Sequence, residues 1–146
     1  MLDVKIKKLC SSATIPQYAN YGDAGLDLTA VSVAENNDYT QYGTGLAIQV
    51  PYGYVGLLFP RSSNSKKDLL LCNSVGCVDH GYTGEVCLRF KKIVKDSEFP
   101  NTFKTYEVGD RVAQLIIMPV PRVNFIQVDE LDSTERGAGG FGSSGN

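Results

Sequence analysis

The chain has 146 residues, 42% of them hydrophobic and 21% charged, with a formal net charge of −2. That is enough for one domain with a real core, and it provides no broad cationic face for duplex DNA or an acidic membrane. No apolar run approaches the roughly 20 residues of a membrane helix, and residues 1–6 alternate instead of forming a signal peptide's apolar block.

A cytoplasmic location follows as the expectation, or the nucleus or host cytoplasm in a eukaryotic or viral setting. Cys10, Cys72, Cys77 and Cys87 contain no CxxC pair and His80 is the lone histidine, which argues against zinc. The cysteines are expected to be reduced and packed as small hydrophobes in strands.

Period-two alternation and turn residues dominate, so the expected class is all-β. Val4 and Ile6 alternate with Lys5 and Lys7 in a first strand. Thr14 to Tyr18 is extended, and Pro16 keeps it out of a sheet centre. In Ala24-Gly25-Leu26-Asp27-Leu28-Thr29-Ala30 the leucines and Ala30 share one face while Asp27 and Thr29 take the other. Residues 31–38 read as polar and turn-like, and short strands are expected around Gly45 to Val50 and Tyr54 to Phe59.

The apolar character stops at Pro60, and Arg61-Ser62-Ser63-Asn64-Ser65 forms a loop rich in anion donors. Ser65 to Asp68 suits one helical turn with Ser65 as its cap. Leu69 to Val75 and Gly84 to Phe90 read as two strands joined by Gly76 to Thr83, a connection that holds Asp79 near Tyr82. An Asx-turn and a surface aromatic would explain that pair without any chemistry. Asp79 beside His80 does not make a catalytic dyad, because adjacent residues point apart.

Lys91 to Lys104 is charged, contains Pro100 and reads as a surface loop. Arg111 to Val120 is apolar on both alternating faces, which implies cover on both sides and, in a small sandwich, a subunit interface. Gln114 is the exception, an amide that needs a structural partner or a ligand. Val123 to Val128 reads as a last alternating strand. The chain is expected to divide into a β-rich domain over residues 1–135 and a flexible glycine-rich arm over 136–146. That arm carries an arginine, a phenylalanine and two adjacent serines, and it suits a lid over a nucleotide phosphate.

Five stretches stand out in order: Ala24 to Leu28, Pro60 to Ser63, Gly76 to Glu85, Gly109 to Leu115, and Arg136 to Gly145. Together they resemble the five motifs of the homotrimeric deoxyuridine triphosphatases, over nearly the whole chain. The resemblance implies a jelly-roll-like β-sandwich or barrel, hydrolysis of dUTP to dUMP and pyrophosphate with Mg²⁺, and sites shared between the subunits of a trimer. It implies a role in lowering dUTP and supplying dUMP for thymidylate synthesis, with no nucleic-acid or membrane partner.

Matched position by position, Asp79 would be the general base that activates water against the α-phosphorus, and Tyr82 would lie against the deoxyribose. Asn73 would contact uracil, and Val78 would belong to the substrate-binding set. Arg61, Ser62 and Ser63 would contact phosphate, and Asp27 and Gln114 would position hydrated Mg²⁺. Arg136, Ser143 and Ser144 would clamp the γ-phosphate while Phe141 stacks over uracil, with Gly142 also in the substrate-binding set, and Arg111 would play a supporting part.

Elementary chemistry agrees. A carboxylate can take a proton from a polarised water, a ring under the sugar leaves no room for a 2′-hydroxyl, and a narrow pocket excludes thymine's methyl. Two positions depart from the family pattern. Asn64 and Ser65 stand where many relatives have glycine followed by leucine or methionine, and Gly81 stands where an aspartate is common. A dCTP deaminase of the same fold and a regulatory nucleotide-binding protein are the competing readings.

Overall fold

The computed structural model describes residues 1–93, 103–140 and 142. Nine strands follow in order: β1 (Lys5–Lys8), β2 (Leu26–Thr29), β3 (Ser32–Glu35), β4 (Thr40–Gln49), β5 (Tyr54–Phe59), β6 (Leu69–Leu71), β7 (Gly76–Val78), β8 (Glu85–Lys92) and β9 (Arg111–Pro119). They form two antiparallel sheets, one ordered β1-β4-β8-β6 with β3 also on β4, the other β2-β9-β5-β7. The class is all-β and the arrangement a jelly-roll-like sandwich, as expected.

The two sheets share one core. Leu28, Leu58, Val112 and Leu115 from the second sheet meet Tyr42, Leu46, Leu88 and Phe90 from the first. Tyr42, Phe90 and Tyr106 form an aromatic cluster with ring centroids 5.7–5.8 Å apart. Edge-on geometry places positive ring edges against negative faces.

Strand β4 changes partner part-way along. Its residues 40–43 pair with β3 and 46–49 with β1, and its ladder with β8 slips between Gly43 and Ala47. At the slip Gly45 has φ +65, and its N–H donates to Glu85 Oε1 at 2.7 Å. An added Cβ there would sit 2.6 Å from Cys10 Sγ, so both conformation and space require glycine.

Several elements differ from the sequence reading. Residues 32–35 form β3 where a turn was expected; all four side chains are exposed, so the strand leaves no apolar alternation to read. Strand β4 starts at Thr40, well before Gly45. The expected Leu69 to Val75 strand stops at Leu71, and Gly76–Val78, read as connection, pairs with β5 in the other sheet. The left-handed Ser74 (φ 58) turns the chain between them.

The helical turn lies earlier, as a 3-10 turn over Ser62–Lys66 with no side-chain cap at Arg61; Ser65 donates its hydroxyl to the Ser62 carbonyl instead of capping. Lys91 and Lys92 belong to β8, and residues 94–102 of the expected surface loop lie outside the described residues.

Val123 to Val128, expected as a last strand, joins no ladder among the described residues, and Phe125 is 93% exposed. Two-sided burial of β9 holds at Val112 and Ala113 but fades along the strand to an exposed Met118. Cys10, Cys72 and Cys77 are free and exposed instead of packed, and only Cys87 is half-buried.

Candidate active site

Asp27 sits where three elements converge. The β2 alternation sends Leu28 into the core and Asp27 out of it. The β2–β9 register sets Asp27 opposite Gln114, and the β5–β9 register sets Phe59 opposite Gln114 from the other side. Pro60 ends β5 beside this row, so Arg61 leaves the sheet close to Asp27. Arg61 Nε donates to Asp27 Oδ1 at 2.8 Å, and Arg111 Nη1 donates to Oδ2 at 2.9 Å.

Arg61 also reaches Ser63 Oγ at 3.2 Å. The Asp27 side chain is 14% exposed and Arg61 20%, so these are partly desolvated, charge-assisted bonds. Gly25 makes room for the row, since a Cβ there would lie 3.1 Å from the Gln114 Cβ. The half-buried Gln114 amide itself makes no hydrogen bond among the described residues, which leaves both its ends for a ligand.

A second group surrounds a cavity of about 430 Å³ whose walls include Leu58, Leu71, Leu88, Asn73, Tyr82 and Cys87. Its floor is apolar and its rim polar, which suits a flat base with hydrogen-bonding edges. Asn73 comes from the Ser74 turn and lies against Gly76, where a Cβ would approach its amide nitrogen to 3.3 Å. Tyr82 Oη donates to the Glu85 carbonyl at 2.7 Å, which ties its side chain to the start of β8 in the cavity wall. Burial, with Glu85 beside it, pushes the Cys87 thiol up to about 11, so it lines the wall as a neutral group.

Asp79 follows the buried Val78 at the end of β7 and is exposed on the turn that leads to Tyr82. The Tyr82 N–H closes that turn by donating to the Asp79 carbonyl at 3.0 Å. His80 lines one cavity with Asp79, Tyr52 and Arg122; its Nδ1 lies 2.8 Å from the Val50 carbonyl and its ring meets Tyr52 edge-on. A Cβ at Gly81 would touch nothing, so this departure from the family pattern leaves open space.

The structure therefore joins Asp27, Arg61, Ser63, Arg111 and Gln114 in one group and Asn73 with Tyr82 in another; Val78 is buried in β7, and Asp79 is tied to Tyr82 through its turn but lines a different cavity with Tyr52, His80 and Arg122. Ser62 is exposed at the first residue of the 3-10 turn. Arg136 stands apart, with its Nε on the Gly139 carbonyl at 2.9 Å, and Gly142 has φ +84. Phe141, Ser143 and Ser144 lie outside the described residues. Among the described residues no side-chain hydrogen bond or ion pair links the three groups within one chain.

A sequence profile of the dUTPase family matches residues 11–145. The chain belongs to the dUTPase family. It is 42% identical to the deoxyuridine 5′-triphosphate nucleotidohydrolase of Rhodococcus erythropolis over 147 aligned positions, which cover 99% of this chain and 87% of the relative. Its fold superposes on the dUTPase of Staphylococcus bacteriophage 80alpha with dUPNHPP at a TM-score of 0.83 and 31% identity, over all of both chains. It also matches a mutant dUTPase of phage phi11 of S. aureus, described as revealing coordination of a structural Mg(II) ion. There the TM-score is 0.73 and the identity 27%, over 90% of this chain and 100% of that one.

Against this dUTPase frame, the sequence reading missed the residues that brace the Arg61 loop. Asn64 Nδ2 donates to the Leu69 carbonyl at 2.9 Å, and its Oδ1 accepts from Tyr106 Oη at 3.1 Å. Lys67 reaches the Thr105 carbonyl at 2.7 Å and pairs with Asp110 at 3.5 Å. The only signal in the sequence was Asn64 itself, an amide where the family pattern has none.

Proposed function

We propose that this dUTPase cleaves dUTP to dUMP and pyrophosphate by attack of a water molecule on the α-phosphorus, with Asp79 as general base. The observation that carries this reading is the turn, closed at 3.0 Å, that sets the exposed Asp79 three residues before Tyr82, whose ring lines the cavity that Asn73 edges. Uracil enters the cavity, the sugar rests on the Tyr82 ring, and the exposed Asp79 carboxylate takes the proton of the attacking water. Ring contact with the sugar disfavours a 2′-hydroxyl, and the narrow cavity disfavours a 5-methyl group. Val78, buried in the core at the end of β7, anchors the strand from which the Asp79 turn departs.

Arg61, with Ser62 and Ser63 from the same loop, receives the phosphates, and Arg111 supports it through Asp27. The donor set also fits Mg²⁺ held through water. Both Asp27 oxygens already accept from arginines, which disfavours direct ligation, while the Gln114 amide oxygen is unengaged. A small hard cation that keeps its waters matches that arrangement. When bound, Mg²⁺ neutralises part of the triphosphate's charge.

Each site is assembled from three chains of a homotrimer. The support is the separation of the three residue groups within one chain, the exposed Phe125 and Ile126 ahead of the arm, and the open end of β9. Residues 136–146 then close over a neighbour's nucleotide, with Arg136, Gly142, Ser143 and Ser144 at the γ-phosphate and Phe141 over uracil. In the cell this activity lowers dUTP and supplies dUMP for thymidylate synthesis.

Asp79→Asn tests the base directly, because it removes the proton acceptor and keeps the shape. Turnover falls by about 10²-fold or more, while binding of a non-hydrolysable dUTP analogue stays near that of the unmodified chain. A variant with undiminished kcat would rule Asp79 out.

A further inference from the structure

The loop that carries Arg61 is short and contributes no buried side chain of its own, so something outside it must hold it in place. Asn64 is the point of attachment. Its backbone N–H donates to the Arg61 carbonyl at 2.9 Å, its amide nitrogen donates to the Leu69 carbonyl at 2.9 Å, and its amide oxygen accepts from Tyr106 Oη at 3.1 Å. Every polar end of the residue is thereby used, on the loop, on β6 and on the 103–110 segment.

Tyr106 is suited to act as the fixed end. It is 4% exposed, its ring meets Tyr42 and Phe90, and its carbonyl accepts from Tyr42 Oη at 3.2 Å. The Lys67 ammonium lies 4.8 Å from the ring centroid. Burial raises the Tyr106 pKa, against opposing pulls from Ser63 and Arg61, so the hydroxyl stays protonated and remains a donor. A chain of contacts thus runs from the aromatic core through Tyr106 and Asn64 to the Arg61 backbone, and from the Arg61 guanidinium to Asp27.

We infer that Asn64 and the Tyr106 hydroxyl are positioning residues for phosphate binding, which hold Arg61 and Ser63 in the geometry that receives the triphosphate. The inference rests on the dUTP-hydrolysing reading above and extends it to two residues outside the loop's phosphate contacts. Neither residue touches substrate. Their effect is preorganisation: a loop already in its bound shape loses less freedom when the nucleotide arrives.

The test uses the full chain with Tyr106→Phe, Asn64→Ala and the double variant. Tyr106→Phe keeps the ring in the core and deletes one hydroxyl, so folding is preserved and circular dichroism verifies it. One hydrogen bond corresponds to about a fivefold effect. Tyr106→Phe therefore lowers kcat/KM for dUTP about fivefold, chiefly through KM, while the inhibition constant of deoxyuridine, which has no phosphate, is unchanged. Because both changes break one connection, the double variant is no worse than Asn64→Ala alone.

A purely structural role would move the melting temperature and leave this split between dUTP and deoxyuridine absent. The inference is overturned by an unchanged kcat/KM in Tyr106→Phe, by equal loss of dUTP and deoxyuridine affinity, or by additive effects in the double variant. Absence of dUTP turnover in the unmodified chain would instead defeat the underlying reading, and the inference with it.

Discussion

Replacing Asp27 with asparagine should expose how far the phosphate group depends on one carboxylate. The side chain is 14% exposed and accepts from Arg61 at 2.8 Å and 3.4 Å and from Arg111 at 2.9 Å. Asparagine keeps one acceptor oxygen and turns the other position into a donor aimed at a guanidinium. The bond to the largely covered Arg61 is charge-assisted and contributes about 1.5–3 kcal/mol. Arg111 is 54% exposed, so its share is screened to about 0–1 kcal/mol.

A total near 2 kcal/mol follows, and in a chain of this length each kcal/mol moves the melting temperature by roughly 2–4 °C. Asp27→Asn is expected to melt about 4–8 °C lower, with kcat/KM for dUTP down at least about tenfold as Arg61 loses its direction. Arg111→Gln is expected to cost about 4 °C or less by the same scale. Thermal unfolding followed by circular dichroism, alongside pyrophosphate release, reads both effects. A melting temperature for Asp27→Asn within about 1 °C of the unmodified chain, or a larger loss in Arg111→Gln, would refute this division of the energy.

Three further outcomes are expected. Tyr82→Ala narrows the preference for dUTP over UTP, measured as the ratio of kcat/KM values; an unchanged ratio removes Tyr82 from sugar selection. EDTA suppresses turnover and added Mg²⁺ restores it, so full activity in metal-free buffer would contradict a role for the ion. Co-refolding Asp79→Asn chains with chains cut before Arg136 restores roughly a quarter of the sites, because each mixed ring holds one site with both parts intact. Mixed trimers verified by mass that stay inactive would contradict a shared site.

What the sequence disclosed depended on where side chains point. β5 was legible to its ends because the Tyr52-Gly53 turn and Pro60 bound an apolar run. β3 was not, since its four side chains are all exposed and the strand is held by its backbone ladder with β4 and one surface ion pair from Glu35 to Lys92. β7 was hidden because three residues opening on a glycine give no periodicity, and their partner β5 lies about twenty positions earlier. Val123 to Val128 has strand-like alternation yet pairs with no strand among the described residues, so alternation alone did not fix a ladder.

The site shows the same split. Asp27 and Gln114 each stood out as polar residues in apolar strands, and the ladder does place them opposite one another. The contact between Asn64 and Tyr106 spans 42 positions and could not be read from local pattern. The separation of Arg136 from Asp79 is likewise a property of the folded chain.

The account's central claim is tested most directly by incubating the purified protein with dUTP, dTTP, dCTP and UTP at equal concentrations with Mg²⁺ and measuring pyrophosphate release from each. Hydrolysis of dUTP should exceed that of dTTP and of UTP by on the order of a hundredfold, because the cavity rejects the added methyl and the Tyr82 ring the added 2′-hydroxyl. Comparable pyrophosphate release from dTTP or UTP, or ammonia release from dCTP in place of dUTP cleavage, would contradict it.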